Sequence, residues 1–366
     1  MTVVDLETLR QRAIDGDGDA QMALARVFDR EGRHDIALQW LQRAADGGHL
    51  PSLTALGARL LTGRGAPHMP GQGAQMIAVA ANEGHTGACA LMAVFHASGQ
   101  TQPQSWSRAL EYLFRAAEGG DIRALQQIAL LVSDSFLGQR LLEAQGAPPW
   151  AEARAGIDLA QWMQVRPPRP LSDAPRVMVF ENFIPVRLCQ WIIELARPKL
   201  EGARILDEAG GRRADSYRTN TGTGFSLVET DLILQLVHRR IAAATQITAD
   251  CQEPTNVLHY AVGQQYGPHF DFLDPEAPQF AARLAREGQR VGTFLVYLND
   301  DFEGGETHFP DLGLRYRGQP GDGLFFWNVD PAGAVDRRTL HAGLAPTRGE
   351  KWLLSKWIRD RPQPQY

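Results

Sequence analysis

A short signature recurs in the first third of the chain at a fixed interval. Ala44-Ala-Asp-Gly-Gly48, Ala80-Ala-Asn-Glu-Gly84 and Ala116-Ala-Glu-Gly-Gly120 stand 36 residues apart, with a less regular copy at Ala13-Ile-Asp-Gly-Asp17. Between the copies run alanine- and leucine-rich segments, residues 20–28 and 36–44 among them, whose apolar positions recur at helical spacing. The glycines end one helix and permit the turn into the next, and the small alanines let paired helices approach closely. A period in the mid-thirties with two helices per unit predicts an α-solenoid, in which each unit stacks on its neighbours.

The Ala-Ala-x-x-Gly ends, together with Leu56-Gly and Leu60-Leu-Thr-Gly-Arg-Gly65, resemble the Sel1-like branch of the tetratricopeptide repeats. The resemblance covers residues 5–133 and reaches 163 with a capping helix pair. The third unit departs from the pattern around Gly99-Gln-Thr-Gln-Pro103, where the turn reads as polar and irregular. Repeats of this kind present a concave surface, which implies recruitment of a peptide or protein. The alternative is that the helices only stabilise or dimerise the rest of the chain. Arg166-Pro-Pro-Arg-Pro170 marks the boundary, because prolines stop helices and stiffen an extended linker. The division is a helical domain over 1–165, a proline-rich linker over 166–173 and a second domain over 174–366.

In the second domain short strand-like runs alternate with Gly, Pro and Asp turns from residue 255 onward, the habit of a jelly roll. Residues 177–180 read as its first strand, 185–196 and 227–244 as helices, and 279–290 as a helix or excursion. His269 and Asp271 are two apart, so on an extended strand both side chains leave the same face. A second histidine completes two imidazoles and one carboxylate on one side of a cation, leaving positions open as a non-haem Fe(II) oxygenase requires. His341 is the candidate, standing just before the strand-like run 351–358; His308, after Gly-Gly-Glu-Thr, reads as a turn residue. Lys351, Leu353, Ser355 and Trp357 share one face of that strand. An inward ammonium needs an anionic partner. A dicarboxylate such as 2-oxoglutarate supplies one, whereas Lys356 on the opposite face reads as solvated.

Residues 174–360 resemble the prolyl 4-hydroxylase class of Fe(II)/2-oxoglutarate dioxygenases. The resemblance is carried by Tyr260, Gly263, Tyr266 and His269-Phe-Asp271, then by Arg290-Val-Gly-Thr-Phe-Leu-Val-Tyr-Leu-Asn299. It continues through Glu303-Gly-Gly-Glu-Thr-His-Phe-Pro310, Gly321-Asp-Gly-Leu-Phe-Phe-Trp327 and His341 with Lys351 ten residues on. It implies a double-stranded β-helix with flanking helices, Fe(II) held by His269, Asp271 and His341, and 2-oxoglutarate, O2 and ascorbate as cosubstrates and cofactor. Lys351 is implied to bind the distal carboxylate with Tyr260 and Thr307. Tyr297 is a further candidate because it can face inward, and Trp357 is a pocket or core residue. Arg290 is implied to hold substrate, with a structural salt bridge as the alternative. Arg218, a candidate substrate-binding residue with Tyr266, falls in a polar, glycine-rich segment, read over 218–225 as a mobile wall of the site or else a surface hairpin. Tyr266 is expected to pack beside the metal histidine.

The implied reaction couples oxidative decarboxylation of 2-oxoglutarate to C–H hydroxylation, with C4 of a prolyl residue in a peptide or protein as the leading target. A free amino acid or a non-prolyl side chain is the competing substrate. A reading of another class is a repeat-based adaptor with a degenerate or sensing oxygenase domain. With 37 basic and 42 acidic residues, no basic field points to nucleic acid or an anionic membrane. No run approaches the length of a membrane span, and the first residues lack a signal-peptide pattern. Cys89, Cys189 and Cys251 are odd in number and scattered, which suits a reducing cytoplasm.

Overall fold

The computed structural model describes residues 3–202, 205–206, 212–213 and 217–363. The chain forms two compact units. One takes in the chain up to Leu159 together with Leu227–Gln235, and the other Ala160–Ser226 and the chain from Leu236 onward.

The first unit is a run of helices in which each packs on the next: α1 (Val3–Ile14), α2 (Gly18–Arg30), α3 (His34–Asp46), α4 (Leu50–Thr62), α5 (Pro70–Asn82), α6 (Thr86–Ser98), α7 (Trp106–Glu118) and α8 (Ile122–Leu131). The shorter α9 (Ser135–Leu142) and α10 (Trp150–Ala155) follow, and α11 (Leu159–Met163) begins at the unit's edge. The repeated signature is a helix-ending device. Gly48, Gly84 and Gly120 adopt φ of 84°, 90° and 96°, which a side chain would strain. The next residue's N–H, on His49, His85 and Asp121, then reaches back to the carbonyl of Ala44, Ala80 and Ala116 at 2.9–3.0 Å. That bond satisfies a helix-terminal carbonyl. Two of these residues also cap the following helix, His85 accepting from the Ala88 N–H and Asp121 from that of Ala124. The turn after α6 corrects the expectation of irregularity. Ser105 N–H bonds His96 O at 2.8 Å, as Met69 N–H bonds Leu60 O at 2.8 Å one repeat earlier. Gly63 and Gly99 take the same left-handed conformation. Backbone bonds hold both turns, so the polar side chains at 100–104 leave the turn intact.

Glycine also lets α4 and α5 approach closely. A Cβ on Gly73 would lie 2.4 Å from Gly57 O and 2.7 Å from Leu61 N, and one on Gly57 2.7 Å from Gly73 O. Because those atoms are backbone, α4 and α5 would have to move apart. Gly73→Ala is expected to destabilise the unit by about 1–3 kcal/mol despite alanine's better helix propensity, read as a lowered urea midpoint; an unchanged midpoint would contradict this packing.

The second unit is built from antiparallel strands: β1 (Arg169–Asp173), β2 (Arg176–Phe180), β3 (Glu201–Gly202), β4 (Ile205–Leu206), β5 (Arg212–Arg213), β6 (Thr221–Phe225), β7 (Thr255–Tyr260), β8 (Tyr266–His269), β9 (Arg290–Tyr297), β10 (Phe302–Gly304), β11 (Thr307–Phe309), β12 (Leu314–Tyr316), β13 (Gly323–Trp327), β14 (His341–Gly343), β15 (Pro346–Gly349) and β16 (Lys351–Arg359). The large sheet runs β1-β2-β13-β9-β16-β7-β6-β3 and the smaller one β12-β11-β14-β8, the two sheets of a jelly roll. Val177, Val179, Leu295, Leu324, Phe326, Leu353 and Phe309, drawn from both sheets, form one buried cluster. Helix α12 (Val186–Ala196) buries Leu188, Cys189, Ile192 and Ala196. A 3-10 turn over Leu227–Glu229 precedes α13 (Leu232–Thr245), and α14 (Ala281–Glu287) occupies the excursion before β9.

Two sequence expectations change here. The end of the proposed linker is ordered: Arg169–Asp173 forms β1, which pairs with β2 because residues on both sides of the intervening turn are extended. Thr221–Phe225, expected in a mobile wall, is strand β6, paired with β7 along its length and with β3 at Thr221 and Gly222. Residues 203–204, 207–211 and 214–216, just before that segment, lie outside the described residues. No helix among the described residues is long and apolar enough to cross a membrane. All three cysteines are buried and unpaired.

Lys356 is a further correction. It is fully buried, its Nζ 3.0 Å from Thr255 Oγ1 and 3.1 Å from His238 Nε2. Strand β16 lies between β9 and β7 and is covered on both faces, so alternation along it does not mark a solvent side. Burial pushes the Lys356 ammonium down to about 7, with Glu253 opposing. A lysine depressed in the folded state costs stability in full below that pH, and stability recovers as pH rises toward the unfolded value. Lys356→Met is therefore expected to stabilise the protein by about 1–2 kcal/mol at pH 7, with the gain shrinking by pH 10 in denaturation titrations.

Candidate active site

The smaller sheet brings together residues that are remote in sequence. Strand β14 pairs antiparallel with β8 so that His341 stands opposite His269, and Asp271 follows two residues after His269. The His269 Nε2 lies 3.6 Å from Asp271 Oδ1, and His341 Nε2 lies 3.4 Å from Asp271 Oδ2. One ligand atom from each residue falls within 4.8 Å of the others. Each imidazole turns its other nitrogen to a backbone carbonyl, His269 Nδ1 to Gly267 O at 2.8 Å and His341 Nδ1 to Thr339 O at 3.0 Å. A donated Nδ1–H leaves the Nε2 lone pair facing the cluster, the tautomer a metal needs. Burial and the neighbouring His269 push His341 down to about 4, against the pull of Asp271, so it is neutral near pH 7. Burial raises Asp271, but His341, His269 and Arg290 outweigh it and hold the carboxyl well below its usual range. Two imidazole nitrogens and an ionised carboxylate form a donor set that suits Fe(II).

The cluster opens into a pocket also walled by Lys351, Leu353, Ser355 and Trp357 from β16, with Tyr260, Leu295, Thr307, Arg218 and Tyr266. All four inward positions read along β16 face this space. Lys351 is fully buried, and its Nζ has no hydrogen-bond partner among the described residues. The ammonium lies over the rings of Tyr260 and Tyr297, 5.1 and 5.6 Å from their centroids. Burial pushes it down to about 7, with Glu306 opposing. A buried donor without an acceptor is costly. The pocket is thus built to take an anion beside the donor cluster.

Tyr266 lies flat on His269, with centroids 3.5 Å apart and planes 11° from parallel. The Arg218 guanidinium also lies over the tyrosine ring, 4.4 Å from its centroid. Arg218 and Tyr266 also form a β-bridge, which brings the arginine to the pocket mouth. His308 points elsewhere: on β11 it alternates with Thr307, which lines the pocket.

Two expected site residues stand behind the pocket wall. Tyr297 is fully buried, its hydroxyl 2.7 Å from Thr307 Oγ1 and donating to Tyr316 O at 3.0 Å, so it supports Thr307 and does not line the cavity. Arg290 grips Glu253 with two nitrogens at 2.6 and 2.9 Å, donates to Asp271 O at 3.3 Å and covers Trp357 at 3.6 Å. Its fork is spent on the acid, which is the salt-bridge alternative. Glu253 also receives Arg359 Nε at 2.6 Å. Sequence reasoning missed Glu253 because nothing local marks an acid 37 residues before its arginine.

Against known proteins, the profile of the 2OG-Fe(II) oxygenase superfamily matches residues 255–359. A probable prolyl 4-hydroxylase 10 of Arabidopsis thaliana is 34% identical over 219 residues, covering 54% of this chain and 72% of the relative. The chain belongs to the prolyl 4-hydroxylase family. Among solved structures, a viral collagen prolyl hydroxylase from Paramecium Bursaria Chlorella virus-1, in complex with 2OG, is 27% identical with a TM-score of 0.40, covering 51% of this chain and 98% of its own. A Sel1 repeat protein from Oxalobacter formigenes is similar to 43% of this chain and 64% of its own, at 23% identity and a TM-score of 0.34. The oxygenase signature read along 260–351 therefore coincides with the matched span, and its ligand cluster with the pocket floor.

Within this family member, Glu253 joins two buried guanidiniums around the site. Burial raises its carboxyl, but Arg290 and Arg359 hold it below its ordinary range. Glu253→Gln takes the carboxylate away from Arg290, while Arg359 keeps Glu287, and is expected to cost about 3–5 kcal/mol in urea denaturation. A loss under 1 kcal/mol would show the arginines are satisfied without it.

Proposed function

We propose that the chain is an Fe(II)- and 2-oxoglutarate-dependent dioxygenase that hydroxylates C4 of prolyl residues in a peptide or protein. The observation that carries this reading is the unpartnered buried ammonium of Lys351 in the same pocket as the His269, Asp271 and His341 cluster. Nε2 of each histidine and a carboxylate oxygen of Asp271 would hold the iron. When bound, the iron activates O2 and couples decarboxylation of the 2-oxo acid to hydroxylation of a C–H bond.

The chain's own residues supply the rest. Lys351 holds the far carboxylate of 2-oxoglutarate as an ion pair made strong by its dry surroundings, with Tyr260 and Thr307 beside it. Leu295, Leu353 and Trp357 exclude water from the cosubstrate. Tyr266 fixes the ring plane of His269, and Arg218 offers its guanidinium to the peptide at the pocket mouth. The repeat unit recruits the protein carrying the prolyl target, and ascorbate sustains turnover in a cytoplasmic setting. The adaptor reading is disfavoured because all three ligand positions and Lys351 are present and convergent.

Succinate release tests this with wild type, His341→Ala and Lys351→Ala, with Fe(II), ascorbate, 2-oxoglutarate and either prolyl peptides or free proline. Peptide-stimulated turnover lost in both variants supports the proposal, stimulation by free proline alone transfers it to the amino acid, and a wild type that neither turns over nor binds iron defeats it. Because Lys351 is neutral above about pH 7 until the carboxylate arrives, cosubstrate binding there takes up a proton. The KM for 2-oxoglutarate is expected to rise between pH 7 and 9, and this rise to flatten in Lys351→Arg. A flat wild-type profile would place the lysine's charge elsewhere.

A further inference from the structure

Asp271 lies beyond the last residue of β8, so strand pairing does not fix its side chain. What does hold it comes from the other sheet. Thr293, fully buried on β9, donates its hydroxyl to Asp271 Oδ2 at 2.7 Å. Asn328, also fully buried and next after β13, donates Nδ2 to Thr293 Oγ1 at 3.1 Å. A threonine hydroxyl has one hydrogen and two lone pairs. With one lone pair taken by the Asn328 amide, the hydroxyl hydrogen is left to the carboxylate. The backbone of Asn328 is pinned in turn, its N–H to Val291 O at 2.9 Å and its carbonyl to Asp336 N–H at 3.0 Å. The path Asn328, Thr293, Asp271 thus crosses from the large sheet to the small one and ends on the carboxylate.

We infer that Thr293, oriented by Asn328, is a positioning residue that fixes the rotation of the Asp271 carboxylate as a metal ligand. The inference rests on the reading of His269, Asp271 and His341 as the ligands. Thr293 touches neither cosubstrate pocket nor peptide mouth, as it is absent from the pocket wall. Its bond to Oδ2 leaves that oxygen's remaining lone pair and all of Oδ1 for the cation, and it stops the buried carboxylate from turning between the two imidazoles. Outer hydrogen bonds of this kind orient a ligand and set metal affinity.

The test uses Co(II) as the probe on the full-length protein, followed by titration and by its visible absorption, with thermal melts of the metal-free forms as a folding control. Wild type is expected to bind, and His341→Ala to abolish binding. Thr293→Val, which keeps the shape and removes the donor, is expected to weaken Co(II) by about 10–100-fold and alter the absorption band. Thr293→Ser, which keeps the hydroxyl, restores both, and Asn328→Ala weakens binding less than Thr293→Val. Wild-type affinity and spectrum in Thr293→Val would overturn the inference while leaving the ligand reading intact. A wild type that does not bind Co(II) would remove the ligand reading and the inference with it. Should Thr293→Val fail to fold, Asn328→Ala decides: weakened binding supports the inference and unchanged binding overturns it.

Discussion

The register between β8 and β14 is the constraint on which the site depends. Side chains on a strand alternate between faces, so a slip of one residue would turn His341 away from His269. The bonds that prevent the slip are distributed. Thr307 and His308 on β11 pair with Gly343 and Ala342 on the far side of β14. Tyr260 faces Gly343 so closely that a Cβ there would lie 3.1 Å from its hydroxyl. The pocket floor is therefore specified by sheet geometry, and the backbone carbonyls of Gly267 and Thr339 settle the tautomers of His269 and His341.

The large sheet does a different job. Strand β16 pairs with β7 on one side and β9 on the other, which places Lys351 beside Tyr260 and under the pocket. On one face of this buried strand Lys356 is met by Thr255 and His238, and on the other Lys351 faces the pocket with no hydrogen-bond partner among the described residues. Behind the pocket wall, Glu253 gathers Arg290 and Arg359, while Arg359 also reaches Glu287 at 2.9 Å. These are buried pairs, so their worth lies less in net stability than in holding Asp271 and Trp357 in one arrangement.

Much of this was legible in the sequence, for reasons that differ by region. The helix ends of the repeats could be read because the Ala-Ala-x-x-Gly pattern is itself the physical device, one left-handed glycine per turn. Lys351 could be read because spacing of two along β16 decides facing, whereas His269 and Asp271 meet although Asp271 lies just past the end of β8. Local pattern failed where tertiary partners decide. Lys356 looked exposed because alternation assumes a sheet with one wet face. Arg290 looked free for substrate because Glu253 lies far away in sequence, and Tyr297 faces the pocket side but is screened from it by Thr307. Thr293, Leu295 and Tyr297 share one face of β9 by alternation, yet only the folded chain shows that the first of them meets Asp271. At the boundary, prolines at 167, 168 and 170 suggested a linker, whereas an edge strand tolerates proline, and β1 is the edge of its sheet.

The position of β16 also has a consequence for how the molecule is made. It is the central strand between β9 and β7, yet every other strand of the large sheet precedes it in the chain. During synthesis the helical hairpins can close one after another from neighbouring residues. The sheet, by contrast, stays split into two halves until its centre emerges. Over that interval the facing edges of β7 and β9 are open templates for foreign strands. Neighbours that fold early and shield those edges would matter most to yield of the intact protein.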